Sequence, residues 1–269
     1  MKAKIVYPSP KDLQSLYSKY STIASNNILY EALVKNTDPS FLTTLEYANI
    51  HEAYNKIFIK YYPNEISVKS NFVNKVLLRE RKQITIFELP IGSSRVDLCK
   101  INGNSIAYEI KTDLDNFSRL TKQLNDYLEI FDEVYVICSE SQLNEAYNLI
   151  PDVCGIYTYS ISKRGVYHFT IERPALTNLM INAEKQLRLL RYKELLNYFK
   201  VTDCSAFSDA IKYIMENYDS EAINKIFKAI LKDRYKKRWY FLKYNHSRIY
   251  EIDYQWFYKN QISPDKIYQ

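Results

Sequence analysis

Read from its residues alone, this chain is an α/β protein, a sheet core flanked by helices with further helical regions at both ends. Two changes of period carry that reading. Apolar residues recur at three- and four-residue spacings over residues 10–79 and again over 183–235, which is helical spacing. Between these regions the apolar residues instead alternate, or run together in short stretches rich in Ile, Val and Tyr, over 84–111, 133–138 and 155–172. A third observation fixes one connection. Asn102-Gly103 separates two of the alternating stretches and is the favoured two-residue hairpin turn.

In chain order, residues 10–60 read as helices interrupted at Asp38-Pro39-Ser40 and ended by Tyr62-Pro63-Asn64, because Pro disfavours helix in the residue before it. A helix over 66–79 follows, with Phe72, Val73, Val76 and Leu77 as its buried stripe. Strands are expected at 84–89, 96–101 and 105–111. Asp113 or Asp115 can cap a helix over 115–130, whose Leu120, Leu124, Leu128 and Phe131 face a core. Glu133–Cys138 is a continuous apolar run suited to a buried strand. A short helix (142–149), strands at 155–161 and 166–172 and helices at 183–200, 206–217 and 221–235 complete the reading. The organisation expected is an N-terminal helical segment (1–62), a central core (63–175) and a helical C-terminal region (176–269).

The 269 residues can bury a substantial core. No apolar run approaches the ~18–20 residues that span a bilayer, and Met1-Lys-Ala-Lys4 leads into no signal-type apolar core, so a cytoplasmic protein without membrane contact is expected. Cys99, Cys138, Cys154 and Cys204 form no Cys-x-x-Cys pair and read as free thiols. The three histidines are scattered, which argues against a His-based metal site. The 26 tyrosines fit a coding bias and are not by themselves a base-stacking surface. The net charge of +6 is uneven: residues 185–248 hold fifteen Lys/Arg against seven Asp/Glu, and residues 1–184 hold twenty against twenty-one. A local surplus of this kind suits contact with a polyanion, or simply a solvated helical surface.

The chemistry lies in Arg95–Lys111. Strand alternation puts Glu109 and Lys111 on one face, opposite Ile106, Tyr108 and Ile110, and puts Arg95, Asp97 and Cys99 together on the preceding strand. A tight hairpin brings Asp97 beside Glu109 and Lys111. Close carboxylates repel unless a cation lies between them, and Mg²⁺ or Mn²⁺ with oxygen ligands would relieve the repulsion. The lysine would then orient the attacking water or stabilise charge on a phosphate.

Asp97, eleven intervening residues and Glu109-Ile-Lys111, set on successive strands between two helices, resemble the PD-(D/E)xK nucleases with their restriction-endonuclease-like core. Gln123-Leu-Asn-Asp-Tyr127 on the following helix resembles the Q-x-x-x-Y motif of RecB-like members, with its two polar residues sharing a helix face away from Leu120 and Leu124. The run from Glu88 through Asp97, Tyr108–Asp115, Arg119, Gln123–Tyr127 and Phe131–Val136 looks like stand-alone bacterial and phage-borne proteins of this fold. The resemblance covers residues 60–140 closely. It implies a metal-dependent nuclease, acting on DNA more than RNA, in which Asp97 and Glu109 bind the metal, Lys111 is catalytic and Gln123 and Tyr127 support the site or the strand.

Glu65, at the start of a helix, and Glu88, near the end of the first strand, compete as an additional metal-binding carboxylate. Glu65 equally suits the helix dipole and Glu88 an ordinary strand acid. Arg95 either binds the scissile phosphate or pairs within the site, and Arg119 shares a helical stripe with Gln123 and Tyr127. In Lys232–Lys243, bases such as Lys236, Lys237 and Arg238 alternate with aromatics, a pattern suited to nucleic acid. Trp239, Phe241 and Leu242 read as core. The competing functions are a nucleic-acid-binding adaptor that keeps a nuclease-like shape and a tyrosine-rich interaction module; a homodimer is compatible with each.

Overall fold

The computed structural model describes residues 5–202 and 204–268, which group into two compact units. One takes in the chain up to Leu78, Ser160–His168 and the chain from Tyr240; the other takes in Arg79–Tyr159 and Phe169–Trp239. These units do not follow the three consecutive stretches 1–62, 63–175 and 176–269. The chain passes between them after Leu78, around the last hairpin at Ser160–His168, and inside a single helix at Trp239–Tyr240.

The first unit is helical: α1 (Pro10–Lys19), α2 (Asn26–Asn36), α3 (Pro39–Leu42), α4 (Ile50–Tyr61) and α5 (Glu65–Phe72), which runs into a π-helical turn at Val73–Leu77. Local chemistry sets the starts. Ser9 and Asp12 cap α1 reciprocally ahead of Pro10, and Asn49 accepts from the Glu52 N–H at 3.0 Å. Asp38-Pro39-Ser40, expected as a break, starts the four-residue helix α3, because Asp38 Oδ1 accepts from Ser40 N at 2.8 Å. Leu13, Leu16, Leu29, Leu33, Tyr54 and Phe58 share one core with residues from α3 and from Ile252.

The second unit holds the sheet, in spatial order β1 (Ile84–Ile91), β2 (Ser94–Asn102), β3 (Asn104–Ile110), β4 (Glu133–Ser139), β5 (Gly155–Ile161) and β6 (Tyr167–Arg173). β1–β2–β3 is an antiparallel meander, and β4 and β5 add in parallel. The meander turns at Asn102-Gly103 as expected, with Gly103 at φ +82°. The parallel step from β3 to β4 needs a crossover, which α6 (Leu120–Leu128) supplies. On the sheet face opposite the predicted acids, Tyr108, Tyr135 and Tyr157 pack against one another. Gly155 permits this: a Cβ there would stand 2.2 Å from Tyr135 Cε1.

Helices α7 (Leu143–Leu149), α8 (Ala183–Arg188), α9 (Tyr192–Tyr198), α10 (Phe207–Asn217) and α11 (Ser220–Asn245) complete the second unit, α11 up to Trp239. The single helix expected over 183–200 is split, since Arg191 is extended and Glu194 folds back on its N–H at 2.8 Å. The helix expected to end at 235 runs on to Asn245, making a helix of 26 residues in all. Asp132 ties the unit together. Its carboxylate accepts from Ser105 N (2.6 Å), Asn224 Nδ2 (2.7 Å) and Lys228 Nζ (2.9 Å). Burial would raise this carboxyl, but those donors outweigh it and hold the group below the ordinary Asp value. Helix α12 (Tyr254–Asn260) belongs to the first unit. Among the described residues, no helix is long and apolar enough to cross a membrane.

Candidate active site

Register decides which side chains meet. Ile86 lies opposite Cys99 and Cys99 opposite Ala107, so Glu88 on β1, Asp97 on β2 and Glu109 on β3 belong to one face of the sheet. The flanking pairs Phe87–Leu98 and Leu89–Val96 put Glu88 directly across from Asp97. Glu88 breaks the strand's own geometry there, with φ +56° in the left-handed region. For a residue with a Cβ that conformation costs roughly 1–2 kcal/mol, and such costs concentrate at functional positions.

The three carboxylates differ in their neighbours. Asp97 is 7% exposed, and its Oδ2 accepts from the Ile110 N–H at 2.8 Å. The β2–β3 pairing ends at Leu98–Tyr108, so the Asp97 side chain takes over as acceptor where the ladder stops. Glu109, 3% exposed, accepts from Lys111 Nζ at 2.9 Å through Oε1 and from Tyr127 Oη at 2.8 Å through Oε2. The Glu88 side chain is 6% exposed, and Arg95 Nε meets its Oε2 at 2.5 Å while the arginine side chain stays largely in solvent. Carboxylate oxygens of Glu88 and Asp97 lie within 4.8 Å of each other, a spacing that a divalent cation bridges.

Helix α6 lies over this face. Lys111 Nζ also bonds Gln123 Oε1 at 3.1 Å, so the lysine is held between strand and helix. The Tyr127 hydroxyl stands 2.8 Å from both Glu109 Oε2 and the Arg95 carbonyl, two acceptors for one proton. Burial, then the Glu109 charge and hydrogen bond, push the Tyr127 phenol far above its ordinary value, which keeps it a neutral donor. Gln123 and Tyr127 were expected on a face away from Leu120 and Leu124. Tyr127 is instead buried beside them, because the inward side of α6 is wide enough to carry both the apolar stripe and the polar pair.

Helix α6 also begins at Leu120 rather than near 115. Asp115 Oδ2 accepts from Thr112 N at 3.0 Å and Thr112 Oγ1 at 2.9 Å, closing a turn straight after Lys111 instead of capping the helix. Asp113 accepts from Ser139 Oγ at 2.5 Å and Ser141 Oγ at 2.8 Å. The loop following the lysine is therefore pinned where it leaves β3, and Arg119 is exposed at the start of α6.

Glu65 belongs to the first unit, where it opens α5 and pairs with Lys69 at 2.6 Å. Lys236, Lys237 and Arg238 are exposed on α11; Lys236 pairs with Asp233 at 2.7 Å and the Arg238 guanidinium lies 5.8 Å from the Tyr235 ring. Trp239 and Leu242 are fully buried, as expected of core residues, and Phe241 is half-buried. Cys99, Cys138 and Cys154 are buried free thiols, and burial raises all three. The Ile110 amide that holds Asp97 had no signal in the sequence, since a backbone N–H is present at every residue except proline.

The protein is thus an α/β protein that gathers an aspartate, two glutamates, a lysine, a glutamine and a tyrosine on one sheet face. It belongs to the Bacteriophage P4 protein cII family, whose profile matches residues 59–255 and so takes in the whole cluster. Protein cII of Enterobacteria phage P4 is 24% identical over 147 residues, covering 53% of this chain and 55% of that protein. The chain therefore aligns with about half the length of this curated relative. Among solved structures, the SPO1766 protein of unknown function from Silicibacter pomeroyi aligns with a TM-score of 0.32 at 19% identity, over 41% of this chain and 71% of that one. A score of that size does not indicate a shared fold.

Proposed function

We propose that the second unit is a metal-dependent nuclease of the PD-(D/E)xK type, hydrolysing phosphodiester bonds in DNA in preference to RNA. The observation that carries the reading is the convergence of Asp97, Glu109 and Lys111 with Gln123 and Tyr127. Residues from two strands and a helix are joined by hydrogen bonds of 2.8–3.1 Å. A solvated ladder of surface charges would have no need of such burial.

The donor set fits a hard divalent ion such as Mg²⁺ or Mn²⁺. Glu88 and Asp97 offer carboxylate oxygens within 4.8 Å, and a positive group, the Arg95 guanidinium, is already seated on Glu88. Glu109 is a third carboxylate on the same sheet face. When bound, such an ion supplies Lewis-acid stabilisation of the phosphate and lowers the pKa of water. Lys111, fixed by Glu109 and Gln123, presents its ammonium group at a set position, where it orients a water or meets charge developing on a phosphate oxygen. Tyr127 supports Glu109 from behind. Arg119 at the head of α6, and Lys236, Lys237 and Arg238 on α11, supply positive charge for the phosphate backbone.

The test is cleavage of plasmid and single-stranded DNA with Mg²⁺ or Mn²⁺ by the wild-type chain, Asp97→Ala and Lys111→Ala. The proposal expects cleavage by the wild type and a loss of at least about 10²-fold in each variant. Cleavage that survives both substitutions would remove these residues from the mechanism. Tight, salt-sensitive binding with no cleavage of any DNA or RNA would favour a nucleic-acid-binding adaptor instead.

A further inference from the structure

The Arg95–Glu88 pair points to a control on this same site. Arg95 follows the β1–β2 turn and precedes Asp97 by two residues, so its side chain starts on the acidic face. Its guanidinium is held 2.5 Å from a buried carboxylate while the rest of the side chain remains in solvent. An arginine so placed can leave without unfolding anything. Its backbone carbonyl is independently fixed by Tyr127 Oη at 2.8 Å, so the strand stays in place when the side chain moves.

Resting on the nuclease reading, we propose that Arg95 is an exchangeable counter-ion: it neutralises Glu88 while no divalent cation is bound, and yields Glu88 to the cation when one arrives. Guanidinium and divalent ion then compete for one carboxylate, because both cannot neutralise the same oxygens at once. The displaced guanidinium, still tethered at the rim of the site, is released to pair with a substrate phosphate, whose two non-bridging oxygens can accept from its planar fork. Cation binding and nucleic-acid binding are thereby coupled through a single side chain. The coupling is reciprocal: a phosphate that captures Arg95 also frees Glu88 for the cation.

The experiment is a titration of the full chain with Mn²⁺ alone, read by electron paramagnetic resonance of the free ion, for wild type, Glu88→Gln, Arg95→Ala, Arg95→Gln and Asp97→Ala. Circular dichroism checks that each variant folds, and the two Arg95 variants guard against a fault of either one. The expected pattern is weaker Mn²⁺ binding in Glu88→Gln and Asp97→Ala. Arg95→Ala and Arg95→Gln should bind Mn²⁺ about fivefold more tightly, the factor that relief from one competing ion pair corresponds to. The same Arg95 variants should bind a short DNA oligonucleotide more weakly in Ca²⁺, with a salt slope reduced by about one. Mn²⁺ binding that depends on Glu88 and Asp97 but is unchanged or weakened by loss of Arg95 overturns the counter-ion role and leaves the nuclease reading standing. No Mn²⁺ binding by the wild type at millimolar concentration overturns both.

Discussion

Tyr127 has a single hydroxyl proton for two acceptors, the Arg95 carbonyl and Glu109 Oε2, each 2.8 Å away. Tyr127→Phe keeps the ring, which is fully buried, and removes the donor from both. Its expected cost is about 1–2 kcal/mol, read from the midpoint of urea unfolding. A change below a few tenths would mean that neither acceptor depends on the hydroxyl. The site residues were unequally legible before folding. Asp97, Glu109 and Lys111 share a face by strand alternation, which is local. The 2.8 Å bond from Ile110 N to Asp97 depends on where the β2–β3 ladder ends, and the left-handed Glu88 opposite Asp97 depends on the pairing of β1 with β2. Neither of these can be read from a spacing.

Helices α9 and α11 meet through Arg234, whose Nε donates to Glu194 Oε1 at 2.8 Å while its second nitrogen bonds Oε2. Both side chains are mostly buried, at 11% and 17% exposure. Arg234→Ala leaves Glu194 without its fork-shaped partner and is expected to destabilise the protein by about 3 kcal/mol. Arg234→Lys should recover only part of this, since an ammonium cannot make both bonds in the same plane. Guanidinium chloride unfolding of the three proteins checks the order, and equal stability of the Lys variant and wild type would refute it. The same carboxylate explains an element that the periodicity obscured. Helical spacing continues across 189–191, but Glu194 bonds the Arg191 N–H at 2.8 Å and starts a new helix there.

Acid acts on the two units through different carboxylates. Asp253 is 1% exposed in the first unit and accepts from Thr22 Oγ1 at 2.6 Å, Tyr268 Oη at 2.7 Å and Tyr20 Oη at 2.9 Å. His51 Nδ1 lies 3.3 Å from the same Tyr20 hydroxyl, and burial lowers that histidine. Burial raises Asp253 to about 6 from 3.8, with the hydroxyls offsetting part of the rise. The folded state therefore prefers the protonated acid. Its contribution is fullest below pH ~4 and is lost as pH rises through about 6, on the order of 3 kcal/mol. Asp132 has the opposite sign: its carboxyl is depressed in the folded protein, so its contribution is present above pH ~4 and is lost on acidification. Urea unfolding should show wild type losing stability relative to Asp253→Asn as pH rises from ~4 to ~7, and losing stability relative to Asp132→Asn as pH falls below ~4. Parallel pH profiles in either comparison would refute the corresponding assignment.

The α/β class, the strand and helix order and the shared face of Asp97, Glu109 and Lys111 were present in the linear chain, because period and alternation are properties of neighbouring residues. The family model's match over residues 59–255 rests on that same linear order. Folding alone determined that Glu88 faces Asp97 and that Gln123 and Tyr127 close over Glu109 and Lys111 from a buried helix side. Those outcomes depend on register and on contacts between residues far apart in the chain, where small changes in pairing redirect whole side chains.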